Sequence, residues 1–521
     1  MFRQVQSHVQ SLLGEEGSGL ASYRQVYEKE FSSQWTVANK AELLSSLRRV
    51  QFIFIGDFHA IPQSQKAQLR ILRMLDVRRE IILAVEFFEA KKQIHLDNYL
   101  QGKITEKEFL KAIEWKRNWG FPWDHYRGLL KWAIKNQIRV VGINIKLKER
   151  SSKTLEKRDL FSAKELLKIH HKNPAAQVVV IYGDLHLARP HLLKPLKERL
   201  RQKFEDVAVV IYQNSEKIFF QLLDRGIETE VDLVRLGKNR YCLLSVPPWV
   251  KWQNYLLFLE QHTDKSLSGD WESDFTDHVA RLVQVLGQLL EIQVNCDAFS
   301  IYSAKDSSFW DKLDSVPSLE KKIYQEFIEK NQSFFIPQLQ VGYLARPTVN
   351  QAAGLAMEIL IAQFVGITRF PTQMPQEFLH RIWFESIKYF GTKLINPKRK
   401  SDTLADLKAL ASSRDSQLKE ALQIALRQKM NELLILTQGK LIVEDWKRKR
   451  KSSFFEAAIL LGGMLGEKIF TGFHQGSFSG NGIKSLLGKD IWDKQFPSIY
   501  YENLELIESI PAPFKSKTDK L

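Results

Sequence analysis

Two phrases of one kind stand far apart in this chain, Gly56-Asp57-Phe58-His59 and Gly183-Asp184-Leu185-His186. Each follows an apolar run, Phe52–Ile55 and Val178–Tyr182, and each is soon followed by a proline, Pro62 and Pro190. An imidazole can ligate a metal or haem iron, or move a proton. A carboxylate two residues earlier can accept the imidazole N–H and fix its tautomer, a role open to Asp57 and Asp184. The same aspartates also suit helix N-caps. Glu86 closes the run Glu80–Glu86, and Asn144 closes Ile138–Asn144. Two imidazoles and a carboxylate, His59, His186 and Glu86, suit a divalent metal or general acid–base work.

What must position these residues is a set of buried strands. Continuous apolar runs fit strands covered on both faces, as in a parallel sheet. The runs near 51–55, 80–86, 138–144, 178–182 and 206–212 alternate with helical patterns. That predicts an α/β domain with a mainly parallel sheet flanked by helices. In such sheets ligands bind beyond the strands' C-terminal ends, so His59, Glu86, Asn144 and His186 are expected to share one cleft. Residues 1–47 read as a helical lead-in. Lys217–Leu223 and Tyr241–Val246 read as late edge strands. A polar stretch over 263–270 reads as a linker. Beyond it the pattern is almost wholly helical, with a short strand near 297–303. The expected organisation is an α/β domain over 1–262, a helical domain over 270–510 and a disordered tail over 511–521.

The stretch from Trp115 to Trp123 reads as a loop with three tryptophans, either core anchors or a flat apolar wall for a planar ligand. Tyr126 and Tyr182 are core residues by default, but a tyrosine beside an iron porphyrin can be an axial ligand. Lys116, Arg117, Arg127 and Arg189 could meet acidic groups on such a ligand.

The chain has 521 residues, 44% apolar, with 76 basic and 60 acidic side chains and a net charge of +16. That surplus favours anionic partners such as lipid headgroups, nucleic acid or propionate-bearing ligands. An anionic membrane surface or a protein partner could be met by the basic helical half, where Lys447–Lys451 could touch nucleic acid or an anionic membrane. Only Cys242 and Cys296 are present, which excludes a disulfide framework and a cysteine-type zinc site. No signal-peptide core or lipid-bearing cysteine stands near Met1, so the expected location is cytoplasmic or peripheral to a membrane. No phosphate-binding glycine loop, Gly-x-Ser-x-Gly elbow or HExxH occurs.

Taken together, the first Gly-Asp-x-His turn, Glu86, Tyr99-Leu100-x-Gly102, the Trp115–Trp123 stretch with Tyr126, the strand ending in Asn144 and Gly183-x-x-His186 resemble the ChaN-like haem-binding family of the Tiki superfamily. The resemblance covers about residues 45–225. It implies an α/β domain that binds haem at its strand ends, in a family associated with iron uptake. Cofactor-binding residues would come from His59, Trp119, Tyr126, Tyr182 and His186. The wider superfamily, with the Tiki proteases and erythromycin esterases, implies the alternative of a metal-dependent or acid–base hydrolase using His59, Glu86 and His186. The first motif usually reads Gly-Glu-x-His, and Asp57 is one methylene shorter, which affects catalysis more than binding. Residues 265–521 resemble no family.

Overall fold

The computed structural model describes residues 2–13, 18–147, 151–200, 202–263, 275–303, 306–412, 418–440, 446, 449–510 and 519–521. Most of the linker expected over 263–270, Lys447 and Arg448 of the basic run, and 511–518 of the tail lie outside these described residues. The chain divides into two compact units, Phe2–Leu259 and Glu260–Lys520.

The N-terminal unit is built on eight strands: β1 (Thr36–Val37), β2 (Phe52–Asp57), β3 (Ile81–Glu89), β4 (Arg139–Asn144), β5 (Gln177–Gly183), β6 (Ala208–Gln213), β7 (Leu233–Gly237) and β8 (Arg240–Leu243). Their order across the sheet is β1-β7-β8-β6-β2-β5-β3-β4. The strands from β8 to β4 pair in parallel, and β1 and β7 form an antiparallel edge. The four runs expected to neighbour one another do so as β2-β5-β3-β4.

Alternate residues serve opposite faces, as the period of a strand requires. Ile53, Ile55, Leu83, Val85, Val179 and Ile181 pack against the helices Lys40–Arg49, Pro62–Arg73 and Trp123–Lys135. Phe54, Ile82, Ala84, Val178, Val180 and Tyr182 form the core on the other face, with the Ser152–Lys172 helix. Both faces being covered explains why the strands read as unbroken apolar runs.

Three local expectations are corrected. The strand expected over Tyr241–Val246 is β8, which lies between β7 and β6 and not at the sheet's edge. Glu216–Leu223 is an α-helix and not an edge strand. Ser215 caps it by accepting from the Ile218 N–H, and Ile218, Phe219 and Leu222 form its buried face. A short apolar run does not separate strand from buried helix by periodicity alone, and the cap decides it. The tryptophan stretch is not a plain loop: Trp115–Asn118 is a helical turn, and Trp123 opens the Trp123–Lys135 helix.

The C-terminal unit is mostly helical, with a small sheet in which β9 (Ser300–Ser303) pairs in parallel with β11 (Val341–Leu344), itself antiparallel to β10 (Phe334–Ile336). The helices Phe378–Ile395 and Lys451–His474 pack backbone to backbone. A Cβ at Gly462 would lie 2.5 Å from Cβ of Glu385, and one at Gly466 would overlap the Ser386 carbonyl. Charges inside this unit are paired, Arg381 with Glu385 at 2.5 Å and Lys393 with Glu467. Among the described residues no helix is long and apolar enough to cross a membrane.

Candidate functional site at the strand ends

The sheet order brings the two Gly-Asp-x-His phrases side by side. β2 and β5 are adjacent parallel strands in which Gly56 is opposite Tyr182 and Asp57 opposite Gly183. β3 lies on the other side of β5. Its register with β4 shifts between Val85 and Glu89. Such irregularities re-aim side chains beside sites, and here Glu86 reaches across to accept the Gly183 N–H at 2.6 Å.

The focus is Gly183. A Cβ placed there would lie 3.1 Å from Glu86 Oε2, 3.2 Å from His186 Cδ2 and 3.5 Å from His59 Nε2. The three residues singled out for chemistry therefore converge on a spot that a side chain would fill. His59 Nε2 is 4.0 Å from Glu86 Oε2. The His59 side chain is 25% exposed, that of Glu86 2% and that of His186 9%, so His59 is the more exposed of the two imidazoles.

His59 is oriented as its neighbouring acid suggests. Nδ1 lies 2.7 Å from Asp57 Oδ2. A carboxylate only accepts, so Nδ1 carries the hydrogen and the neutral ring keeps its lone pair on Nε2. Asp57 is fixed in turn by Gln68 at 2.9 Å, by Gln65 and by the Tyr126 hydroxyl at 3.1 Å. Burial works against charge on His59, but the charge and hydrogen bond of Asp57 outweigh it and raise the imidazole pKa.

The second phrase departs from the expected arrangement. Asp184 does not touch His186. It accepts from the Tyr27 hydroxyl and from the Gln213 N–H at 3.0 Å. Burial raises its pKa to about 7 against those hydrogen bonds. The carboxylate on His186 is Asp159, from the Ser152–Lys172 helix, with Oδ1 2.6 Å from Nδ1. The Tyr23 hydroxyl donates to Asp159 Oδ2 at 2.6 Å and lies 2.9 Å from His186 Nδ1.

Glu86 and Asn144 are tied together by Arg158, which donates to Glu86 Oε1 at 2.5 Å and to Asn144 Oδ1 at 3.2 Å. Arg158, Asp159 and Tyr23 were not legible as site residues. Arg158 and Asp159 stand in a stretch that reads only as polar and basic. The one available signal is that Asp159 shares a helical face with Ser162, Ala163 and Leu166, and a buried carboxylate needs a partner.

The aromatic residues divide. Trp119 and Phe121 pack on His59 with ring centroids 4.5 and 4.9 Å away. Trp115 and Trp123, candidates for the same wall, are buried in the core. Tyr126 and Tyr182 are fully buried, the Tyr182 hydroxyl sharing a hydrogen bond with Ser162 at 2.9 Å. Burial, then Asp57 for Tyr126 and Glu86 for Tyr182, holds both phenols well above their ordinary range, so neither offers a phenolate. Arg117 pairs with Glu114, Arg127 with Glu106 and Arg189 with Glu30. Among the described residues no group of three or more His, Cys, Asp or Glu side chains is placed to hold a metal ion.

Residues 43–157 match the family model described as haem-binding uptake, Tiki superfamily, ChaN. That match lies within the N-terminal unit, includes His59, Glu86, Trp119, Tyr126 and Asn144, and stops one residue before Arg158. Among solved structures, the chain is similar to ChaN of Campylobacter jejuni, described as showing cofacial heme binding. The identity is 15% over 40% of this chain and 91% of that chain, with a TM-score of 0.27. No curated protein matches.

Proposed function

We propose that the N-terminal unit binds haem at this cleft, with His59 as the residue facing the iron. The observation that carries the reading is the state of His59. Its Nδ1 is held by Asp57 at 2.7 Å, its Nε2 lies 4.0 Å from Glu86 Oε2, its side chain is 25% exposed, and Trp119 and Phe121 flank the ring. A histidine that donates from one nitrogen to a carboxylate presents the other as a basic, oriented ligand. The family of the matched segment supports the ligand class.

The residues fit such a ligand unevenly. His59 would supply a nitrogen for the iron and Trp119 with Phe121 an apolar edge, extended by Phe258, which stacks on Phe121 at 4.7 Å. Lys116 is an exposed cation three residues before Trp119, suited to a propionate, while Arg117 is exposed but already paired with Glu114. The two buried phenols do not fit an iron-ligand role. When bound, haem supplies a redox-active iron. The chain's part is to orient His59, cover one side of the ring system and set the protonation of Nε2.

A second reading, acid–base hydrolysis, is favoured by one feature, the second carboxylate-backed imidazole at Gly183. Glu86, already accepting from Arg158 and the Gly183 N–H, is a poor base in that scheme. Titration with hemin, followed in the Soret region, tests both readings. Saturable one-step binding that weakens about tenfold or more in the His59→Ala variant supports haem binding. Unchanged affinity in that variant, together with turnover of an ester or peptide panel, supports the hydrolase.

A further inference from the structure

The two Gly-Asp-x-His turns share a local sequence but not a support. The first is held from within the family-matched segment, by Gln65, Gln68 and Tyr126. The second is gripped by the lead-in, the Ser18–Glu28 helix and the turn Lys29–Phe31 that continues it. Tyr23, Tyr27 and Glu30 fall at spacings of four and three, which places them on one face. Each takes a different part of the 184–191 turn. The Tyr23 hydroxyl meets His186, and its ring stacks on His191 at 3.4 Å and 6°. Tyr27 donates to Asp184, and Glu30 accepts from the Arg189 backbone N–H at 3.0 Å.

The hydrogen atoms can be assigned around His186. The Tyr23 hydroxyl has one hydrogen, and Asp159 Oδ2 at 2.6 Å takes it. That leaves a hydroxyl lone pair and Asp159 Oδ1 both facing His186 Nδ1. Two acceptors around one ring nitrogen require that nitrogen to carry a hydrogen, so the neutral ring keeps its lone pair on Nε2. The Cδ2 edge, adjacent to Nε2, faces Gly183. Packing alone does not need the hydroxyl, because a phenylalanine would keep the stack on His191.

We infer that Tyr23 is a positioning residue of this site: with Asp159 it locks His186 in the Nδ1–H tautomer and turns the Nε2 edge to Gly183, so the functional unit begins in the lead-in helix, outside the family-matched segment. The inference rests on the strand-end cleft being the ligand site. It makes the two imidazoles unlike in origin. His59 is oriented by its own turn, and His186 by two elements distant in sequence, Tyr23 at 163 positions and Asp159 at 27.

The test uses the full chain with nitrogen-labelled histidine, in wild type and in the Tyr23→Phe, Asp159→Asn and His186→Ala variants. The last assigns the His186 signals, and thermal melts verify folding. The expected spectrum places the His186 hydrogen on Nδ1 in wild type. Asp159→Asn moves it toward Nε2, and Tyr23→Phe, which leaves Asp159 as the one acceptor, shifts the Nδ1 signal by less. Hemin affinity is expected to fall about tenfold in Asp159→Asn, less in Tyr23→Phe, and to recover in part in Asp159→Glu. Unmoved nitrogen signals in both variants overturn the inference. Moved signals with unchanged hemin affinity also overturn it, because the tautomer then has no bearing on the site. If wild type takes up no hemin, the haem reading fails by itself, and the nitrogen signals alone decide whether Tyr23 sets the tautomer.

Discussion

Asp184 lies with its carboxylate against the bare Cα of Gly56, and a Cβ there would overlap Oδ1. The glycine of one phrase therefore makes room for the acid of the other. At Gly183 the missing side chain leaves space instead for Glu86 and both histidines.

Gly56→Ala is expected to destabilise the N-terminal unit by about 1–3 kcal/mol, the range for forcing a methyl into a packed interior. Asp184 would have to leave Tyr27 or the Gln213 N–H to admit it. Urea unfolding measures the loss. A variant as stable as wild type would mean that Asp184 can move aside freely.

Hemin binding through His59 should depend on pH in a definite direction. A proton on Nε2 competes with iron, and Asp57 raises the imidazole pKa. Affinity should therefore climb as pH rises through a midpoint above the ordinary histidine value of about 6.5. Asp57→Asn should move that midpoint down. Titrations at a series of pH values decide it, and a midpoint indifferent to Asp57→Asn would remove Asp57 from the orienting role.

Asp184 gives a prediction of opposite appearance. Burial holds its folded carboxyl protonated up to about 7, whereas the unfolded group releases its proton near 3.8. Between those values the folded state binds more protons, so this group makes stability fall as pH rises. Asp184→Asn should flatten the fall, since an amide can still accept from Gln213 and donate to Tyr27. Chemical denaturation at several pH values between about 4 and 7 measures the slope. A slope identical to wild type would contradict the shift.

In the helical unit, Gly462→Ala sets a methyl 2.5 Å from Cβ of Glu385. The neighbour is a rigid helix, so about 1–3 kcal/mol should be lost. Unfolding followed by circular dichroism reads the effect, and a gain in stability would show that the helices can part.

The parallel strands and the convergence of His59, Glu86 and His186 were legible because strand ends are marked locally, by an apolar run broken at glycine. The support of those residues was not. Asp57 and Asp184 occupy equal places in equal phrases, yet Asp57 ends a strand and turns to its own histidine. Asp184 opens the Asp184–Leu187 turn and points to β6. Which carboxylate meets His186 depends on where the Ser152–Lys172 helix docks, and spacing within the phrase carries no trace of that. The Glu216–Leu223 helix was misread for a different reason, since eight apolar-rich residues fit either period and Ser215 alone separates them.

The spread of the site along the chain also sets a timetable for a ribosome. His59 and Trp119 emerge early, but Asp184 finds its backbone anchor only when Gln213 has been made. At about 5–20 residues per second, the 94 residues from Trp119 to Gln213 take roughly 5 to 19 s. Throughout it a growing chain displays an imidazole and an indole without the strand that completes their cleft. A ligand captured then would meet half a site, so the complete site first exists once Gln213 and β6 have been made.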